Sequence, residues 1–353
     1  MSAEAALQVD TKSAADFKAV IRALVEERQD LTRQQSRAVI SALLEQRFDE
    51  VQTAAVLTAL AGKGETSDEI AGAVDAILAR HPPFSLGAVK ALNIGGTGGD
   101  RAGTFNVSTT ASFVVAAVGV PVVKHGNRGV TSSCGSSDMM AELGIPILSS
   151  SAPQRMRADL EASNFAFVAT SAYYGFPAAL SAVRKRIGIR SIFNLAGPLV
   201  HPAGVELQLL GVARAALMAP IADALVQLGG VRAFVVHGVD GLDEVSCVGE
   251  TLVSSVQDGV VSGFTLRPED FDVQPCKLHE LRGGDPRRNA QICQDVLLGQ
   301  SGPFRDATVV VASAALVLAG CAESFKDAAA ASRQAIDTGR AYQVLKNFQG
   351  GGA

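Results

Sequence analysis

Tryptophan is absent from this chain of 353 residues, and aromatic residues make up only 5 % of it. Alanine and glycine take that space, which permits close helix packing but carries no chemistry of its own. No basic block occurs: 31 Lys and Arg stand against 35 Asp and Glu, a formal net charge of −4, which disfavours a general nucleic-acid binder. The five cysteines, Cys134, Cys247, Cys276, Cys293 and Cys321, are scattered without a CxxC pair. They read as reduced thiols of a cytoplasmic protein, not as a disulfide or zinc framework. The longest apolar run, Ser112 to Val123, is too short to span a bilayer and stops at Lys124, so no membrane partner is expected. The segment MSAEAALQVDTKS lacks the basic and apolar regions of a signal peptide. No internal repeat or low-complexity block is present.

What is there begins with helical periodicity. Phe17, Val20, Ile21, Leu24 and Val25 follow the i, i+3, i+4, i+7, i+8 spacing of one helix face. Thr32 with Gln35, Asp49 with Gln52 and Thr66 with Glu69 have the spacing of capping boxes. The last opens a helix that His81-Pro82-Pro83 stops. Four short helices with short links predict a small bundle over residues 1–86, joined by helices within 174–200. From about Val89, short β-branched runs alternate with Ala-rich helical segments. Strands are expected at Gly119–Val123, Phe165–Val168, Leu207–Val212, Ala233–His237 and Thr308–Val311, with helices at Pro153–Glu161 and Ala216–Leu228. That alternation predicts an α/β domain over 87–348 with a central, mostly parallel sheet. The Gly-rich tail Gln349–Ala353 is expected to fray.

The densest chemistry lies in residues 96–128, GTGGDRAGTFNVSTTASFVVAAVGVPVVKHGNR. Its glycine turn, Gly95 to Asp100, is neither a Walker loop nor a dinucleotide fingerprint, and alone it marks a tight turn as readily as a phosphate site. Asn106-Val107-Ser108-Thr109-Thr110 follow it at a helix start, where free N–H groups and the helix dipole favour anions. A simple N-cap by Ser108 or Thr109 explains the same residues. Lys124 leaves a buried strand end, where a cation requires an anion, either a substrate or a neighbouring acid. His125 fits a structural imidazole as well as a catalytic one. Thr131 to Asp138 supplies small donors that either extend a phosphate cradle or cap the next helix. Asp243 and Glu244, in the run DGLDE at 240–244, are adjacent carboxylates at a strand end; they suit Mg²⁺ carried on a phosphorylated substrate, or a solvated acidic loop.

Together KGET at 63–66, GTGGD, TFNVST, KHGNR, GPL at 197–199, DGLDE and Gly283-Gly284 resemble the anthranilate phosphoribosyltransferase family of tryptophan biosynthesis, over nearly the whole chain. The resemblance implies the nucleoside-phosphorylase-like phosphoribosyltransferase fold, a small helical domain beside a large α/β domain, assembled as a homodimer. It implies Mg²⁺-dependent transfer of the phosphoribosyl group of phosphoribosyl pyrophosphate (PRPP) to the amine of anthranilate. By resemblance, Gly96, Gly99, Asp100, Thr104, Asn106, Ser108, Thr109, Lys124, Asn127, Ser132 and Ser136 bind PRPP. Ser108, Asp243 and Glu244 hold Mg²⁺, while Gly96, Asn127 and Arg184 face the acceptor. The catalytic contribution falls to Lys124, Asp243 and Glu244.

Three stretches depart from the family pattern. Ala169 to Gly175 replaces an FAPxYHP-like segment, Phe193 to Pro202 reads FNLAGPLVHP with His201 before the proline, and Asn93 stands where an Asp is common. These place the acceptor wall, not the PRPP side, as the drifted region. A PRPP-dependent transferase with another aromatic acceptor is therefore the alternative. A nucleoside phosphorylase and a non-catalytic nucleotide-binding relative are the further readings. KHGNR with DGLDE argues against the phosphorylase, and the complete motif set with the acidic balance argues against the other.

Overall fold

The structure is a computed structural model that describes residues 17–129, 133–147 and 152–350, without the side chains of residues 171 and 172. The expected absence of a signal peptide concerns residues outside this range, as do Ser132 and residues 351–353.

The N-terminal unit comprises α1 (Phe17–Ile21), α2 (Arg33–Leu44), α3 (Glu50–Lys63) and α4 (Ser67–Arg80). All three expected capping boxes form. Gln35, Gln52 and Glu69 each return a side-chain oxygen to the main-chain N–H of the capping residue. Two orphan donors are thereby satisfied at each helix start. Val25 departs from its expected place on the buried face and is 55 % exposed. After α1 the chain widens into a π-helical turn at Arg22–Glu26, whose extra residue per turn rotates Val25 outward.

The α/β unit carries a seven-stranded sheet in the order β3-β2-β1-β4-β5-β6-β7. The strands are β1 (Leu92–Gly96), β2 (Val122–Gly126), β3 (Phe165–Ala169), β4 (Leu207–Gly211), β5 (Arg232–Gly238), β6 (Thr251–Gln257) and β7 (Val260–Leu266). The first five are parallel, with Leu92 opposite both Val122 and Leu207; β6 and β7 are antiparallel. Helices crossing between the strands include α5 (Val107–Val118), α6 (Ser136–Glu142), α7 (Pro153–Ser163), α8 (Thr170–Tyr173), α9 (Ala178–Ile187), α10 (Ile192–Leu199) and α11 (Met218–Leu228). The C-terminal helices are α12 (Pro286–Leu297), α13 (Pro303–Leu318), α14 (Phe325–Asp337) and α15 (Arg340–Gly350).

Three sequence expectations change. Thr308–Val311 is helix, not strand, because α13 is buried on all sides: Ala307 to Ala312 expose 3 % or less. A wholly buried helix reads as a continuous apolar run, as a buried strand does. The strand expected at Gly119–Val123 starts three residues later, because Gly119 at φ 111° caps α5. Lys124 and His125 consequently lie within β2. The tail is helical through Gly350, and the Gln349 amide donates to the Leu143 carbonyl at 2.7 Å.

Two large cores flank the sheet. One packs α5, α12, α13 and α14 against it through Phe113, Phe165, Phe167, Val310 and Phe271. The other joins the N-terminal helices to α9, α10 and α11, where Ile40, Leu57, Ile70, Leu180, Phe193 and Leu225 share one cluster with Leu210 and Val235 of the sheet. The helical bundle and one sheet face thus share apolar contacts. Among the described residues, no helix is long and apolar enough to cross a membrane.

Candidate active site

Strands β1, β2, β4 and β5 each end in glycine, namely Gly96, Gly126, Gly211 and Gly238. Close approach explains the smallest side chain at these rims. A Cβ on Gly96 would lie 2.4 Å from Asp243 Oδ2, and one on Gly211 would lie 1.6 Å from the Asp243 carbonyl oxygen. The loop after β5 therefore folds back over the ends of β1 and β4 and sets Asp243 and Glu244 beside the Gly96–Asp100 turn. The Gly98 N–H donates to Asp243 Oδ2 at 2.6 Å. Gly98 and Gly99 adopt φ of 69° and 88°, left-handed values that glycine tolerates.

Lys124 rises from the neighbouring strand into the same place. Its side chain is 2 % exposed, and Nζ donates to the Ile94 carbonyl at 2.6 Å. Burial draws its ammonium down to about 8, against the opposing pull of Glu244 and Asp243. Burial likewise pushes Asp243 well above the usual carboxylate range, reinforced by Asp100 and Glu244. Glu244 is pushed up to about 7 by burial; Lys124 and donation from the Ser108 N–H and hydroxyl work the other way. Three acids and one lysine thus share a recess with too little positive charge.

That imbalance tests the fit of a divalent cation. Asp243, Glu244 and the Ser108 hydroxyl offer hard oxygen donors at a point that favours added positive charge. Among the described residues, no group of three or more His, Cys, Asp or Glu forms a complete metal cage. Mg²⁺ usually takes only one or two carboxylates and fills its sphere with water and phosphate oxygens, so this donor set fits an ion arriving with a phosphorylated ligand.

Asn106 occupies the N-cap of α5 without capping it by its own side chain. Its Oδ1 instead accepts from Asn289 Nδ2 at 2.9 Å and from the Cys134 thiol at 3.3 Å. Thr109 is fully buried, and its hydroxyl donates to Ser136 Oγ at 3.2 Å, so it meets the recess through Ser136. Thr104 bridges main chain with Arg282. The exposed Asn127 accepts the Ser137 N–H on its carbonyl at 3.1 Å.

Two further residues hold loops of the site in place. Asp138 accepts the N–H groups of Gly129 and Gly135, closing the loop after KHGNR. Asn289 accepts the Gly284 N–H at 2.8 Å while donating to Asn106, tying the Gly283-Gly284 turn to α5. Asp138 acts locally, with the i, i+3 spacing of a capping box at the start of α6, whereas Asn289 reaches Asn106 across 183 positions, a contact that spacing does not reveal.

Arg184 stands apart from this group, on α9. Burial lowers its pKa; Nη2 reaches Asn194 Oδ1 at 3.4 Å, and its guanidinium carbon lies 5.1 Å from the Phe193 ring centre. Asn194 and Phe193 belong to α10, and the same chain leads on to His201, whose ring centre is 5.0 Å from that of His125. β2 alternation sets Lys124 toward the α5 face and His125 toward this second region.

Two family models match the chain. One, described as a glycosyl transferase family a/b domain, matches residues 88–342; the other, a glycosyl transferase family helical bundle domain, matches residues 18–80. The chain is 41 % identical over 318 residues to an anthranilate phosphoribosyltransferase of Desulfatibacillum aliphaticivorans, covering 90 % of this chain and 94 % of that protein. It is 42 % identical over 315 residues to one from Methylorubrum extorquens, covering 89 % and 93 %. Among solved structures, an anthranilate phosphoribosyltransferase from Thermus thermophilus superposes with a TM-score of 0.86 at 35 % identity, covering 94 % of this chain and 98 % of that one. The Saccharomyces cerevisiae enzyme in complex with PRPP and Mg gives 0.87 at 27 % identity, covering 96 % and 98 %.

Proposed function

The chain belongs to the anthranilate phosphoribosyltransferase family, and we propose that phosphoribosyl transfer from PRPP to the amine of anthranilate takes place at the recess formed by the ends of β1, β2 and β4 and the Asp243 loop. The observation that carries this placement is Lys124, buried between β1 and the acidic loop, where its charge answers an anion and the surplus acid answers a cation.

An aryl amine is neutral near pH 7 and needs no strong base to attack. The demanding step is departure of pyrophosphate while positive charge develops on the sugar. As the C1–N bond forms, the C1–O bond to pyrophosphate breaks, its electron pair leaves with the pyrophosphate oxygen, and the proton lost by the amine passes to water. Lys124 and the N-terminal end of α5 face the departing anion with charge that is already in place, which lowers the cost of reorganisation. The Gly96–Asp100 turn brings main chain close to the phosphates, and Asn106, Ser108 and Ser136 add short polar donors. Asp243, Glu244 and Ser108 are the residues that would hold Mg²⁺. When bound there, the ion supplies charge neutralisation at the pyrophosphate. Arg184, paired with no acid at hydrogen-bond distance among the described residues, suits a bidentate hold on the acceptor carboxylate.

Assembly as a homodimer is part of the same proposal; the exposed Val25 and Val51 of the helical bundle offer apolar surface for it. So is a cytoplasmic location, which suits a chain whose five cysteines form no CxxC pair.

Loss of anthranilate fluorescence with PRPP and Mg²⁺, using purified protein, tests the reading. Consumption that stops when the metal is chelated supports it. PRPP binding without anthranilate consumption would mean another acceptor, and a screen of aromatic acids and amines would find it.

A further inference from the structure

Asn93 lies on β1, 2 % exposed, beside His125 on β2. The main-chain N–H of His125 donates to Asn93 Oδ1 at 3.3 Å. A main-chain N–H can only donate, so this bond fixes which end of the carboxamide faces it. The other end, Nδ2, then faces the His125 ring and meets Nδ1 at 3.4 Å. An amide nitrogen can only donate, so Nδ1 must present its lone pair and the ring proton must sit on Nε2.

Burial holds the ring neutral, well below the ordinary imidazole range, and the charged or titratable groups that act in the same direction are His201 and the adjoining Lys124. Lys124 repels a second positive charge. His201 has its own tautomer fixed, because Nδ1 accepts the Ala203 N–H at 3.1 Å and Nε2 faces the Val123 carbonyl at 2.9 Å. A ring that donates on one side and accepts on the other has no free site with which to pair an imidazolium.

We propose that Asn93 is a positioning residue that locks His125 in the uncharged Nε2–H tautomer, leaving a one-way hydrogen-bond donor on the acceptor side of the recess. The acceptor side follows from β2 alternation and from the continuous chain that joins Arg184's partner Asn194 to His201. This part rests on the functional reading above; the tautomer does not. Asn93 and His201 thus meet on one imidazole.

The test combines a spectrum with kinetics. The chain has five histidines, so long-range ¹H–¹⁵N spectra of the labelled full-length protein can resolve them, with His125→Gln giving the assignment. Wild type is expected to show His125 as the neutral Nε2–H form from about pH 6 to about pH 8.5. Asn93→Asp replaces a donor by an acceptor, so the proton is expected to move to Nδ1 and the ring to titrate within that range. The KM for anthranilate in Asn93→Asp should then vary about tenfold with pH, relative to wild type, while the KM for PRPP follows wild type. An Nδ1–H form in the wild-type spectrum would overturn the proposal without any variant having to fold. An unmoved tautomer in Asn93→Asp would overturn it too. A moved tautomer with equal changes in both KM values would overturn the positioning role alone. Wild type that turns over no anthranilate would sink the acceptor reading, while the spectrum still decides the tautomer.

Discussion

The main-chain N–H of Gly98 donates to the carboxylate of Asp243 at 2.6 Å, joining residues 145 positions apart. The glycine turn after β1 and the acidic loop after β5 are therefore one structure, and disturbing either side disturbs the other.

Gly211 is where that joint has least room. A Cβ there would lie 1.6 Å from the Asp243 carbonyl oxygen, a main-chain atom that cannot swing aside. Gly211→Ala should cost about 1–3 kcal/mol of stability, as overpacking does, and weaken PRPP binding in the presence of Mg²⁺. Thermal unfolding and calorimetry check both. Unchanged values would show that the loop does not need this contact.

Asp243→Asn together with Glu244→Gln keeps the shape of the acidic loop and removes its charge. The Mg²⁺ concentration needed for half-maximal rate should rise by about tenfold or more, since a hard divalent cation prefers charged oxygen donors. A rate titration against Mg²⁺ decides, and an unaltered midpoint would remove both residues from the metal's neighbourhood.

Lys124→Met preserves the buried stem and deletes the ammonium. Removing one preorganised charge from a leaving-group site commonly costs about 10²–10³ in rate, and kcat/KM for PRPP should fall within that range. The Ile94 carbonyl also loses its donor, so a fluorescence melt is needed to separate unfolding from lost catalysis.

Arg184→Lys retains charge but loses the planar fork. Its KM for anthranilate should rise by about tenfold or more with the KM for PRPP unchanged, because bidentate geometry is what the exchange removes. Parallel rises in both constants would place Arg184 elsewhere in the reaction.

Much of this architecture is legible where local chemistry dictates it. The capping boxes at Thr32, Asp49 and Thr66 need only a residue pair three apart, and all three form. The alternation of β-branched runs and Ala-rich segments marks β2 to β5, while β1, with Ile94 its one β-branched residue, escapes it. The hairpin of β6 and β7 escapes that alternation, even though Asp258-Gly259, at φ 52° and 75°, is a strong two-residue turn signal. Thr308 to Val311 misleads because burial on every side erases the difference between helix and strand periods. In the recess, residue types point to Lys124, Asp243 and Glu244. Asp138 closes its loop through the local i, i+3 spacing of a helix cap, within the 131–138 segment already read as a cap or a cradle. The contacts of Asn289 with Asn106 and of Asn93 with His125 depend on distant parts of the chain meeting, and spacing along one sequence holds no trace of that.

His201 gives a pH dependence with a definite sign. Burial holds its pKa down at about 3, below the ordinary 6.5, with Lys124 acting in the same direction and the Val123 carbonyl opposing. The unfolded chain binds a proton near pH 6.5 and the native one does not. The stability that His201 contributes is therefore present above 6.5 and lost as pH falls toward 3, by about 1.4 kcal/mol per pH unit. Asp243 and Glu244 act oppositely, since their raised values favour the native state as pH falls, so the total curve alone does not isolate the histidine. The difference between wild type and His201→Asn does. Urea unfolding at a series of pH values from about 7 down to about 5 should show wild type losing stability relative to the variant. Parallel curves would mean that His201 takes up its proton in the native state, and that its hydrogen bonds to Val123 and Ala203 do not hold it neutral.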